Sequence, residues 1–252
     1  MADAARMARL KQGALVALNL GVVFSGVLVA GQFSPWLWNR RLMMMSGAVN
    51  AHRVYERRGH QFEFSNQYLS LLMSEDAFHY VMYAVVFYGQ EPMLLSAAIP
   101  AIYAFFKMLI GAAKMFPSLD PKVGKFIEGK AGQQQPDGTV ATSRSDQAFK
   151  MVANFELILF FMMWFRTIFK MNLRAAMAAF MYTQFAMLRY TSLRNPRARL
   201  AWSALRQRVE SVAASPRCPV AVARGINAGL ARLDQVVGAM QAAAQAHHQQ
   251  RQ

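Results

Sequence analysis

The chain has 252 residues, of which 55% are hydrophobic and only 16% are charged, and its formal net charge is +15. An ordinary soluble domain is less apolar and contains about 25% charged residues, so the composition argues against a soluble globular protein. A single cysteine, Cys218, excludes a disulfide framework and a cysteine-based metal site. The apolar residues lie in long blocks without charge, which predicts a membrane protein.

The first apolar block covers residues 12–39, which contain no charged side chain. It exceeds the length of about 20 residues that crosses the hydrocarbon core and the apolar core of about 7–15 residues in a cleaved signal peptide. Trp36 and Trp38 suit the exit at the membrane interface, where indole rings settle. We therefore predict a retained anchor over 13–38 at the start of an N-terminal membrane region, 1–114.

The remainder of this region divides into an amphipathic segment, 40–76, and a hairpin, 77–113. Apolar residues recur at helical spacing after residue 40, with arginines elsewhere on the helix. Two uncharged arms then flank Gln90-Glu91-Pro92. Neither arm reaches 20 uncharged residues, so the pattern leaves open whether each one crosses the whole bilayer.

Residues 115–148 are rich in Pro, Gly, Gln and charge, and we predict a polar linker there. The second apolar block, 149–188, is predicted to form another membrane hairpin. Arg166, Lys170 and Arg174 interrupt it, which favours two short arms whose cations extend toward lipid headgroups.

The tail, 189–252, has ten arginines that only Glu210 and Asp234 oppose. Two amphipathic helices are predicted, over 198–213 and 220–240, each with an apolar stripe at helical spacing. A helix with a tryptophan on its apolar face and a basic opposite face is typical of a membrane surface, where each cation contributes about 1 kcal/mol. The sequence leaves open whether the stripes lie on lipid or pack on the membrane bundle. The predicted membrane-surface or partner-binding residues are Arg189, Tyr190, Arg194, Asn195, Pro196, Arg197, Arg199, Trp202, Leu205, Arg206, Arg208 and Val209.

Three polar residues are predicted inside the membrane region: Asp76, His79 and Glu156. Asp76 and His79 share a helix face and resemble a metal or acid/base cluster, but capping of a helix and bonding within the bundle explain them more simply. A di-iron bundle needs Glu-x-x-His from two helices, and the sequence has neither copy. We predict no catalytic residue, metal or cofactor, and keep a channel or transporter that uses His79 and Glu156 as the alternative.

The arginines also bear on partners and orientation. A protein that binds nucleic acid normally has a folded soluble module beside its basic patch, and none is evident, so we predict anionic lipid headgroups as the partner and no nucleic acid. Short basic segments remain cytosolic, which places the tail, the segment 107–153 and the segment 40–76 on that side. The side of the N-terminus, with Arg6, Arg9 and Lys11, stays open.

Three motifs resemble a known family. They are Glu-Asp-Ala-Phe-His-Tyr at 75–80, Leu-Arg-Tyr-Thr-Ser-Leu-Arg-Asn-Pro at 188–196, and Cys218-Pro219. In this order and spacing they are similar to the transmembrane protein 33 family, also called the Krüppel-homologue-2 family, which includes fungal pore-membrane relatives. The linker and the extreme ends match poorly.

The resemblance implies a multi-pass protein of the endoplasmic reticulum and nuclear envelope without enzymatic activity. It also implies contact with reticulon-type proteins, nucleoporins or importins, and it supplies no catalytic residues. From residues and resemblance together we predict an all-α polytopic membrane bundle with short hairpins and C-terminal amphipathic helices. Its expected role is to shape membrane and to act as a scaffold for partners, with no prediction of oligomeric state.

Overall fold

The structure is a computed structural model that describes residues 2–58, 68, 72–73, 75–129, 142–191, 196–215, 218–221, 223–232 and 234–235. The chain forms two compact units, Met1–Ala186 and Met187–Gln252. The described residues form helices and no strand. The predicted all-α class is therefore confirmed.

Eight helices are numbered here in chain order. They are α1 Ala2–Ala30, α2 Pro35–Arg58, α3 Asp76–Tyr88, α4 Leu94–Met115, α5 Asp120–Glu128, α6 Arg144–Lys170, α7 Leu173–Thr191 and α8 Pro196–Ala213. A 3-10 turn, Pro117–Leu119, precedes α5. In the tail, residues 220–221, 223–232 and 234–235 are also helical.

In the first unit, α1 lies antiparallel to both α2 and α4. The rings of Phe24 and Trp38 meet edge to face, with centroids 5.6 Å apart, and Nε2 of Gln12 lies 3.5 Å from the carbonyl oxygen of Gly111. A Cβ added to Gly26 would lie 2.7 Å from the Cβ of Ala101. Small residues of this kind let helix backbones approach closely in membranes, so Gly26 sets the distance between α1 and α4.

The other helices of this unit pack in the same up-and-down manner. Nδ2 of Asn39 in α2 donates to the carbonyl oxygen of Phe87 near the end of α3, at 3.2 Å. Between α6 and α7, Nε1 of Trp164 donates to Oγ1 of Thr183 at 3.2 Å. Only two residues separate α6 from α7. One of them, Asn172, caps α7 by accepting a hydrogen bond from the backbone N–H of Ala175 at 2.7 Å.

This arrangement gives the first unit two ends. At the turn end, as we call it, lie the turns 31–34, 89–93 and 171–172. At the terminal end lie the beginning of α1 and the end of α4, followed by α5. The cations Arg6, Arg9 and Lys11 thus share an end with the lysines of α5.

Aromatic side chains of α3 and α7 form the centre of the core. Between the two helices, the ring centroids of Tyr83 and Phe185 lie 5.3 Å apart, and those of Phe87 and Tyr182 lie 5.5 Å apart. All four are buried. Such pairs contribute about 0.5–1.5 kcal/mol each beyond the area that they bury, so they fix α3 against α7.

Three of the described helices are long and apolar enough to cross a membrane: Arg6–Ala30, Leu94–Met115 and Arg144–Lys170. The arms predicted from uncharged runs were too short, since α4 has 22 residues and α6 has 27. Both helices continue through their Lys and Arg positions, because long cationic side chains can reach the headgroups from within a helix. Of the four helices that form the two hairpins, α3 is the shortest: its 13 residues give a length of about 20 Å.

Several predicted boundaries differ from the structure. The anchor predicted over 13–38 ends at Ala30, and Trp36 and Trp38 belong to α2. The amphipathic helix begins at Pro35 and ends at Arg58, and most of 59–74 lies outside the described residues. The predicted linker contains α5, while 130–141 also lies outside the described residues.

Candidate functional site

Glu156, predicted as a polar residue of the membrane core, lies at the junction of three helices. Its side chain is on α6 and is 7% exposed. The hydroxyl of Tyr80 on α3 donates to its Oε1 at 2.8 Å, and the hydroxyl of Tyr182 on α7 donates to its backbone oxygen at 2.9 Å. A buried carboxylate needs such donors, so this arrangement favours a role in helix packing.

His79 is fully buried at the beginning of α3. Its Nε2 lies 2.6 Å from the carbonyl oxygen of Met73. A carbonyl oxygen only accepts hydrogen bonds, so Nε2 carries the proton. Nδ1 faces Oδ1 of the half-buried Asp76 at 3.8 Å. The histidine thus connects the start of α3 to the segment before it.

The described residues do not assemble these groups into a metal site. No three His, Cys, Asp or Glu side chains among them lie close enough together to hold a metal ion. The hydrogen bonds described above connect Glu156 to Tyr80 and Tyr182 and connect His79 to the backbone of Met73.

An ion pair that the sequence did not predict joins the end of α2 to the residue before α3. Nη1 of Arg57 lies 3.0 Å from Oε2 of Glu75, whose side chain is buried. Because a buried carboxylate needs a partner, Arg57 stabilises the approach of α2 to α3.

Four charged residues meet at the turn end, although they are far apart in sequence. Glu91, in the turn after α3, lies 2.9 Å from Nη2 of Arg166, and Nζ of Lys170 donates to its Oε1 at 2.7 Å. Arg174 donates to the carbonyl oxygen of Gly89. The hydrogen bond from Lys170 lowers the pKa of Glu91; partial burial opposes this shift, and Arg166 reinforces it. We call these four residues the turn-end cluster.

The second unit joins its two helical segments through one arginine. Nε of Arg206 on α8 donates to Oε1 of Glu210 at 2.7 Å, and Nη1 donates to Asp234 in the following helix. These carboxylates raise the pKa of Arg206, and the hydrogen bond to Glu210 has the largest effect. Tyr190 and Trp202 meet edge to face, with centroids 6.2 Å apart.

Not all of the tail residues predicted to bind membrane or partners have exposed side chains. Arg189, predicted as a membrane-surface or partner-binding residue, is only 3% exposed. A guanidinium buried to this degree keeps its charge only through partners inside the protein. Arg206 likewise uses its charge within the tail. Of the remaining predicted residues, Arg208 is exposed and Pro196 begins α8, while Arg194 and Asn195 lie outside the described residues. The other six are half-buried: Tyr190, Arg197, Arg199, Trp202, Leu205 and Val209.

Exposed apolar residues of the tail were not singled out as site residues by the sequence. Val212, near the end of α8, and Val220, at the beginning of the next helix, are both exposed, as is Leu200. Val212 lies at the edge of the apolar stripe. Its exposure shows that packing within the tail covers only the centre of that stripe.

Comparison with known proteins identifies relatives along most of the chain. It is 29% identical to the Krueppel homolog 2 of Drosophila melanogaster over 92% of this chain and 80% of the relative. It is 29% identical to the Transmembrane protein 33 homolog of Caenorhabditis elegans, over 81% and 69%, and 26% identical to Transmembrane protein 33 of Homo sapiens, over 73% and 71%. No solved structure matches the chain. The family model described as Transmembrane protein 33/Nucleoporin POM33 matches residues 7–237, and the chain belongs to this family.

Proposed function

We propose that the protein is a non-enzymatic component of the endoplasmic-reticulum and nuclear-envelope membrane, where it organises or shapes the bilayer and acts as a scaffold for partners. The family description, which includes a nucleoporin, supports this location. The observation that carries the proposal is the second compact unit, Met187–Gln252, whose amphipathic helices combine exposed arginines with exposed apolar side chains.

The cations of this tail have two different roles in the proposal. Arg206 holds the two helical segments together. Arg208, Arg224 and Arg232 are exposed and bind anionic headgroups, at about 1 kcal/mol for each cation near the surface. Val212 and Val220, on either side of the turn between the segments, insert among the lipids as the apolar part of an interfacial helix does.

The proposed orientation places the tail in the cytosol, because short basic segments stay on that side. The order of the helices supports this orientation and bears on the side of the N-terminus. Since α1 and α4 are antiparallel, Arg6, Arg9 and Lys11 share the terminal end with the lysines of α5, so one side of the membrane accommodates both groups. The N-terminus is therefore also proposed to be cytosolic.

Curvature follows from two features that act together. At 13 residues, α3 is about 20 Å long, against a hydrocarbon core of about 30 Å. Although most of α3 is buried, its exposed Val85 and Tyr88 face outward, and a helix shorter than the hydrocarbon core thins the bilayer where it meets lipid. Tail helices in one leaflet then widen that leaflet relative to the other. Reticulon-type proteins, nucleoporins or importins are the proposed partners that such a region would gather.

Cys218 offers a direct test, since it is the only cysteine and lies in the turn between the tail helices. The full-length protein is labelled there with an environment-sensitive fluorophore and reconstituted into vesicles. Phosphatidylcholine vesicles are compared with vesicles of phosphatidylcholine and phosphatidylserine. We expect a blue shift in the anionic vesicles that high salt reverses, because headgroup attraction is screened.

A triple variant, Arg208→Gln with Arg224→Gln and Arg232→Gln, should lose most of this shift. The matched control is Arg6→Gln with Arg9→Gln and Lys11→Gln, which removes the same charge from the other unit and should retain it. An emission that does not depend on lipid charge would overturn the proposed surface contact. In cells, overexpression of the wild type should alter the ratio of tubules to sheets, and overexpression of the triple variant should not.

A further inference from the structure

The turn-end cluster has more positive than negative charge. Glu91 is in contact with both Arg166 and Lys170, and Arg174 bonds to the adjacent backbone at Gly89. Arg40 also reaches this end, where its guanidinium lies 5.9 Å from the ring centroid of Tyr88, the residue before Gly89. Among the described residues, the carboxylate of Glu91 therefore faces three cations, and Arg40 adds a fourth positive charge at the same end.

One donor in this cluster has no hydrogen-bond partner among the described residues. The side chain of Arg166 is only 16% exposed, and its Nε is buried without an acceptor. A guanidinium removed from water is costly unless acceptors surround it. The carboxylate of Glu91 is already shared with Lys170, and the described residues supply no second anion to the cluster.

Apolar side chains surround the cluster on the protein surface. Phe169, Met171 and Leu173, in and around the turn between α6 and α7, are each more than three-quarters exposed. Large apolar side chains at the end of a membrane helix lie among acyl chains and headgroups rather than in water. The anion that reaches this cluster in the membrane is therefore the headgroup of a lipid.

The positive charge of the turn end is not explained by the general preference of cations for the cytosolic side of a membrane. The terminal end holds Arg6, Arg9, Lys11, Lys122 and Lys125, so the bias of cations toward the cytosol is satisfied there. The same bias leaves the turn end on the opposite side, where Lys and Arg are usually depleted. Lys and Arg that are present on this side therefore indicate an anion that they bind.

We propose that the turn-end cluster binds the phosphate of an anionic phospholipid in the leaflet opposite the terminal end, with Arg166, Lys170 and Arg174 as its ligands. Guanidinium groups suit this role because their planar donors match phosphate oxygens. Glu91 holds the three cations together and competes with the phosphate for them. None of these residues belongs to the tail, and the proposal does not depend on the function proposed for the tail.

The test uses native mass spectrometry of the full-length protein in detergent at low ionic strength. Phosphatidic acid, phosphatidylcholine and soluble glycerol 3-phosphate are offered separately. We expect retention of phosphatidic acid well above that of the other two. The double variant Lys170→Gln/Arg174→Gln should lower this retention about 25-fold, at about fivefold for each cation near an anionic headgroup. The control Lys122→Gln/Lys125→Gln removes two exposed cations of α5 and should leave retention unchanged.

The variant Glu91→Gln gives the sharper test, because it should raise the retention of phosphatidic acid. A cluster that only stabilises the fold would lose ion pairs in this variant and gain no lipid, so misfolding cannot imitate the expected result. Unchanged or lower retention in Glu91→Gln, or an equal loss in the α5 control, would overturn the proposal. Equal binding of glycerol 3-phosphate would assign the cluster to free phosphate, and equal binding of phosphatidylcholine would remove the requirement for a net anion.

Discussion

The hydroxyl of Tyr80 donates a hydrogen bond to Oε1 of Glu156 over 2.8 Å, and this contact joins α3 to α6 in the interior of the first unit. The carboxyl of Glu156 lies among aromatic rings, with Phe185 near Tyr80 at a centroid distance of 6.2 Å. Taking a carboxylate out of water is costly unless donors face it. The packing of α3 and α6 therefore depends on a polar contact as well as on apolar area.

We expect Tyr80→Phe to lower the free energy of unfolding by about 1–3 kcal/mol, the usual effect of removing a donor from a buried charged acceptor. Thermal unfolding in detergent, followed by tryptophan fluorescence, measures the change. The control Tyr88→Phe removes a hydroxyl from an exposed position and should have little effect. In the double variant Tyr80→Phe/Glu156→Leu the losses should not add, because both changes remove the same contact; additive losses would show that the two groups act separately.

The sequence was sufficient to predict the class of the fold, because long charge-free blocks and amphipathic periods act locally. It was not sufficient to predict the partners of Glu156. Tyr80 and Tyr182 lie 76 and 26 residues away along the chain, and only the packing of α3 and α7 against α6 brings them together. The buried position of Glu156 followed from its apolar neighbours, whereas its hydrogen bonds depend on tertiary structure.

The turn-end cluster illustrates the same limit. Glu91 was placed in a turn, and Arg166, Lys170 and Arg174 were predicted to extend toward headgroups, but nothing in the sequence relates residue 91 to residue 170. Helix lengths were also underestimated, because uncharged runs were counted as if a helix ended at its first lysine. Lys107 and Lys114 lie within α4, which shows that a charge does not mark the end of a membrane helix.

Gly26→Leu should separate α1 from α4. A Cβ at Gly26 would meet the Cβ of Ala101 at 2.7 Å, and neither helix backbone can move without disturbing its other contacts. Overpacking of this kind costs about 1–3 kcal/mol, and thermal unfolding measures it. The same substitution in α5, Gly124→Leu, meets nothing within 4 Å and should be neutral or slightly stabilising, since leucine favours a helix more than glycine does. Equal losses at both positions would contradict the close approach at Gly26.

Glu91 should make the free energy of unfolding depend on pH in the acidic range. The hydrogen bond from Lys170 lowers the pKa of Glu91 in the folded protein, so the unfolded chain binds its proton more readily. The resulting stabilisation is present above the pKa of the unfolded state and is lost as the pH falls through the folded pKa. Thermal unfolding of the wild type and Glu91→Gln should therefore differ at neutral pH and converge on acidification. A difference that does not change with pH would contradict this assignment.

Arg206→Gln should loosen the tail, because the guanidinium of Arg206 is what joins Glu210 on α8 to Asp234 in the next helix. The side chains of Glu210 and Asp234 are 44% and 49% exposed, so salt screens the attraction between each carboxylate and Arg206. Chymotrypsin, which cleaves after aromatic and leucine side chains such as Trp202 and Leu205, reports the opening of these helices. We expect faster cleavage of the tail in Arg206→Gln and, in high salt, in the wild type as well. Arg208→Gln is the matched control, since it removes the same charge two residues away from an exposed position. If both variants are cleaved at the wild-type rate, packing of the half-buried stripes, and not Arg206, holds the two helices together.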